Sequence, residues 1–171
     1  MKGNNVILVG FMGTGKTAVG KALAEKIGFK FVDTDLMVEA EAKKSIPDIF
    51  RLEGEAAFRK YEADAIKRIN HLKNYVIATG GGAVMIDENI ANMKRAGMVV
   101  CLTATPDVIL ERTQSDDYRP LLKTKEPLKK ILSLLKIREP QYQKADYTID
   151  TSKLSVDAIA QTIISLWTDK E

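Results

Sequence analysis

Residues 10–17 read GFMGTGKT and follow the short apolar run Val6 to Val9. The spacing G-x-x-x-x-G-K-[ST] constrains this chain more than any other feature, because it needs a strand before it and a helix after it. Gly10, Gly13 and Gly15 allow a backbone path that turns successive N–H groups toward one point. That point lies at a helix N-terminus, where unpaired N–H groups and the macrodipole attract an anion. Residues 16–28, KTAVGKALAEKIG, supply the helix: Ala18, Ala22, Leu23 and Ile27 are spaced for one face, and Gly28 is a stop. A nucleotide phosphate is expected here, contacted by Gly13, Thr14, Gly15, Lys16, Thr17 and Ala18. Lys16 brings a mobile positive charge to the outer phosphates, and the Thr17 hydroxyl is placed to ligate magnesium.

Four more strand-like runs follow, at 29–32, 75–79, 98–103 and 146–149. Helical patterns separate them, at about 16–27, 36–44, 47–53, 55–72, 87–96, 106–115, 127–138 and 155–168. Alternation of this kind predicts an α/β fold of three layers, a five-stranded parallel sheet with helices on both faces. Its length of 171 residues suits one domain spanning 1–171, and 45% hydrophobic residues suffice for its core. The single Cys101, in the apolar run MVVCLTA, excludes an internal disulfide and reads as a small core residue. No stretch approaches the ~18 apolar residues of a membrane span. The lone cysteine and the lack of such a stretch lead to the expectation of a cytoplasmic protein without a membrane partner, taken as a monomer. Nucleic-acid partners are not expected, since 26 basic against 23 acidic residues leave only +3 and no basic run longer than two interleaves with aromatics.

Ligands of such sheets bind outside the carboxyl ends of the strands, and the unusual residues cluster there. Asp33 and Asp35, in VDTD, would share one side of extended backbone, with a turn at Asp33 and an N-cap at Asp35 as the plain structural readings. Beside a phosphate, a carboxylate can instead hold the magnesium shell through water, or orient and deprotonate an acceptor hydroxyl. Gly80, Gly81 and Gly82 would let a ligand approach the backbone. Arg59 falls off the core stripe of Phe58, Tyr61, Ala65, Ile69 and Leu72. Glu62, three residues on, would orient it through a pair worth only ~0.3 kcal/mol if exposed. Arg112, Arg119 and Arg138 sit in or beside loops, and Arg119 lies in an aperiodic polar segment that reads as a mobile lid at about 114–126.

Together these segments resemble the shikimate kinases: GFMGTGKT with GKALA, FVDTD, GEAAFRKYE, TGGGAV, RPLL and IREPQYQKAD stand in that family's order and spacing over nearly the whole chain. The resemblance implies a fold like that of the nucleoside monophosphate kinases, with a substrate-binding region at about 33–62 and the lid. It implies transfer of the γ-phosphoryl group of MgATP to the 3-hydroxyl of shikimate. Lys16, Asp35 and Arg119 would be catalytic. Thr17 and Asp33 would organise magnesium, the latter through water. Asp35, Arg59, Gly80, Gly81, Gly82 and Arg138 would bind shikimate, with both arginines on its carboxylate. Arg112 would lie near the adenine, and Ser152, in the loop IDTSKLS, would line the nucleotide site. Val156 stands where many members carry proline. The rival readings are a kinase of the same fold acting on gluconate or a nucleoside monophosphate, and a nucleotide-dependent switch without an acceptor.

Overall fold

Alternation within the first strand sets the layers. In β1 (Val6–Gly10), Ile7 and Val9 point to one face of the sheet and Val6 and Leu8 to the other, all of them buried. The structure, a computed structural model, describes residues 4–114, 122 and 124–168. Its sheet adds β2 (Lys30–Asp33), β3 (Tyr75–Ala78), β4 (Met98–Thr103) and β5 (Tyr147–Asp150), every pair parallel, in the order β2-β3-β1-β4-β5.

Val6 and Leu8 meet α1 (Lys16–Ile27) through Val19 and Leu23, and α8 (Val156–Thr168) through Ile159 and Ile163. Trp167 packs this last helix edge-on against Phe29, ring centroids 6.0 Å apart. The opposite face, with Ile7 and Val9, packs against α4 (Glu55–Arg68), α5 (Asp87–Ala96), α6 (Pro106–Thr113) and α7 (Pro127–Tyr142). Val38 and Ala42 of α2 (Thr34–Ala42), Ile46 and Ile49 of α3 (Ile46–Leu52), and Phe58 and Ala65 of α4 form a satellite cluster. No described helix is long and apolar enough to cross a membrane.

Two helices depart most instructively from expectation. The second helix starts at Thr34, not at Leu36, because the Asp33 carboxylate accepts from the Asp35 N–H and caps it. Asp35 is thereby a first-turn residue and not the cap. The pair spans a strand end and a helix start, so no common extended backbone sets their geometry. The seventh helix runs through Pro140 to Tyr142, beyond the expected end near 138. Proline this close to the C-terminus deprives only the Lys136 carbonyl of its donor, and Lys136 is exposed to water.

The chain leaves β1 through α1 toward β2 and leaves β3 through α5 toward β4, on opposite sides of the sheet. Since β1 and β3 are neighbours, their carboxyl ends open a crevice between the two departing connections.

Candidate active site

A cleft of about 590 Å³ occupies that crevice. Its floor is the loop 10–17. Gly13 (φ 79°) and Gly15 (φ 93°) adopt the left-handed backbone that side chains disfavour. The Lys16 ammonium folds back over the loop, donating to the Gly10 carbonyl at 2.8 Å and the Phe11 carbonyl at 2.9 Å. Beside it the Thr17 hydroxyl donates to Asp33 Oδ2 at 3.1 Å, so helix α1 and strand β2 deliver two hard oxygen donors to one spot.

Asp35, Glu62 and the glycine loop meet on the other side. The Gly80 N–H donates to the Thr34 hydroxyl. A Cβ at Gly80 would lie 2.6 Å from Glu62 Oε1 and 2.9 Å from Asp35 Oδ1, so both carboxylates rest on the bare backbone there. Arg59 donates to Glu62 Oε2 at 2.8 Å and to Glu55 at 3.0 Å. The Arg59–Glu62 pair is not the exposed one considered from sequence, since Glu62 is only 1% exposed. Burial raises the Glu62 carboxyl above its ordinary range, although Arg59 and Arg138 pull it down. A buried pair of this kind costs stability to desolvate and fixes geometry instead.

Arg138 enters from α7. It is buried, its guanidinium faces the Phe11 ring at 5.3 Å, and its Nη1 has no hydrogen-bond partner among the described residues. Phe50 and Phe58, 4.9 Å apart, add an apolar wall with Ile46. The sequence places Phe58 in the core stripe, where it is indeed buried, and gives Phe50 no role; their share in the cleft wall is not read from it. Both sit on helices whose apolar pattern looks the same whether a residue faces core or cleft.

Lys16, Thr17, Ala18, Gly13, Gly15, Asp33, Asp35, Arg59, Gly80, Gly81, Gly82, Arg112 and Arg138 thus line one cleft. Arg112 donates to the Gly13 carbonyl and to the Thr151 carbonyl and hydroxyl, bracing the phosphate loop against the β5–α8 loop. Thr14 and Ser152 are off the wall. The Thr14 hydroxyl is buried against the Phe11 carbonyl, and the Ser152 hydroxyl accepts from the Thr105 N–H and donates to Asp150. Arg119 lies outside the described residues. Cys101 is buried in β4, and burial pushes its thiol up to about 11, which leaves it inert at neutral pH.

Comparison with known proteins places the chain in a family. The family model described as Shikimate kinase matches residues 12–168. The chain belongs to the shikimate kinase family. Among curated members, the shikimate kinase of Thermoanaerobacter pseudethanolicus is 45% identical over 163 residues, covering 95% of both chains. That of Thermodesulfovibrio yellowstonii is 47% identical over 160 residues, covering 94% of this chain and 92% of its own. The solved shikimate kinase of Acinetobacter baumannii in complex with shikimate superposes with a TM-score of 0.94 at 40% identity, covering 99% of this chain and 95% of its own. A sugar kinase from a Janibacter species shares only the fold, with a TM-score of 0.66 at 15% identity. The P-loop kinase fold therefore admits other acceptors.

Proposed function

We propose that the chain transfers the γ-phosphoryl group of MgATP to the 3-hydroxyl of shikimate, releasing shikimate-3-phosphate and ADP in aromatic amino acid biosynthesis. The observation that carries this reading is the buried Arg138 Nη1 without a partner, on the wall of the same cleft as Arg59. A buried guanidinium needs an anion, and two arginines with a carboxylate beside bare glycines suit a small hydroxylated acid. A nucleoside monophosphate would need a base pocket instead.

Thr17 and Asp33 fit magnesium, which favours hard oxygens and takes few from protein. Among the described residues no cluster of three or more His, Cys, Asp or Glu could hold a metal by itself, which suits a cation that shares its shell with phosphates and water. When bound, magnesium neutralises charge on the transferring phosphates. Thr17 would ligate it directly and Asp33 through water.

Lys16 moves from the loop carbonyls to the outer phosphates. Arg59 and Arg138 hold the shikimate carboxylate, which turns the acceptor hydroxyl toward Asp35. The new bond joins that oxygen to the γ-phosphorus, the bond to the β–γ bridging oxygen breaks, and ADP leaves with the electron pair. The hydroxyl proton passes to Asp35. Arg119, outside the described residues, supplies positive charge to the transferring phosphoryl group.

ADP release from MgATP, followed with and without shikimate and with the product weighed, tests the reaction. Shikimate-dependent ADP with a product one phosphoryl group heavier supports it, and ADP release indifferent to shikimate refutes it. Arg119→Ala should lower kcat about a thousandfold in a folded protein, and unchanged turnover would remove that arginine from the mechanism.

A further inference from the structure

We infer that Tyr142 is a positioning residue of the acceptor site, setting the glycine loop and Arg138 in register for the carboxylate. The inference rests on the acceptor reading above and adds a residue that does not line the cleft. Tyr142 follows Arg138 by one helical turn on α7, so both project from the same face, and both are buried. Its hydroxyl donates to the Gly81 carbonyl at 2.6 Å, across 61 positions of sequence. Burial pushes the phenol well above its ordinary range, so it keeps the proton that it donates.

The loop needs such an anchor. Gly80, Gly81 and Gly82 have no side chains with which to fix their own backbone, and glycine peptides rotate at little cost. A trans peptide is planar, so holding the Gly81 oxygen on Tyr142 turns the Gly82 N–H the opposite way. The held segment lies between the two arginines. A Cβ at Gly81 would be 3.3 Å from Arg138 Nη1, and one at Gly82 would be 2.5 Å from Arg59 Nη1. One hydroxyl thus ties α7, which carries Arg138, to the loop against which Arg59 rests. The Tyr142 ring is a separate matter, since it belongs to the main core cluster that also holds Val9, Cys101 and Ile131. Phenylalanine would keep that packing and lose the hydroxyl alone, with its donation to Gly81 and its interaction with Arg138.

The test measures KM for shikimate and for ATP, kcat and melting temperature in Tyr142→Phe, with Arg138→Ala in parallel. The expected result is a KM for shikimate raised about fivefold, the worth of one neutral hydrogen bond, with KM for ATP unchanged. Placing 4-aminophenylalanine at position 142 returns a donor on the same ring and should restore KM. An unchanged KM in Tyr142→Phe, equal increases in both KM values, or a fall in melting temperature that 4-aminophenylalanine repairs without KM would each overturn the proposal. If Arg138→Ala raises KM for shikimate while Tyr142→Phe does not, only the positioning role falls. If Arg138→Ala leaves KM unchanged, the acceptor reading falls, and the role of Tyr142 with it.

Discussion

Glu62 shows how burial changes what one residue does. The sequence offers it as a partner for Arg59, weak if exposed, but it is enclosed between Arg59 and the glycine loop. Burial raises its carboxyl above the ordinary range, so the folded chain holds the proton more tightly than the unfolded chain. Its contribution to stability is then complete below the unfolded value of 4.5 and is lost as pH rises through the higher folded value. Glu62→Gln has no such loss. Melting curves of parent and variant from about pH 4 to about pH 8 should show the variant gaining on the parent as pH rises. Curves that stay parallel would mean that Glu62 does not titrate differently on folding. Gln also lacks the charge that holds Arg59, so KM for shikimate should rise at neutral pH.

Helix α3 carries Ile46 and Phe50 to the cleft wall, and two side chains hold its start. Ser45 accepts from the Asp48 N–H at 3.2 Å, and Glu39 accepts from the Ile46 N–H at 2.8 Å. Ser45→Ala should cost about 1 kcal/mol, lowering the melting temperature by about 3 °C in a chain of this size, and raising KM for shikimate more than KM for ATP. An unchanged melting temperature would show that Glu39 alone holds the helix start. Elements were the most legible level of this fold. Strands that are buried on both faces read as short apolar runs, and the phosphate loop fixed the first strand and helix. Misreadings arose where a local signal had two meanings. Asp33 and Asp35 are both good caps, and only the bond from the Asp35 N–H decides between them. Pro140 reads as a stop, but it falls where few backbone bonds remain to break. Tyr142 was invisible because its partner Gly81 comes from another strand's loop, and no spacing in the sequence records that contact.

At the scale of the molecule, the strand order makes the site. The two connections that diverge from β1 and β3 put the phosphate loop and the glycine loop at one crevice. Charge is divided across it: Lys16 with Thr17 and Asp33 on the β1 side, Arg59, Arg138 and Glu62 on the other. The division makes the two ligands separable. Each binds only the folded chain and should stabilise it by RT ln(1 + [L]/Kd), about 2.7 kcal/mol at a hundredfold excess over Kd. For the parent, both shikimate and MgATP should therefore raise the melting temperature by several degrees. Arg138→Ala should lose the shift from shikimate and keep that from MgATP, because Arg138 is absent from the loop that holds the phosphates. Lys16→Ala should do the reverse. If either variant lost both shifts together, the halves of the cleft would not be independent. The acceptor site would then exist only once the nucleotide had ordered it.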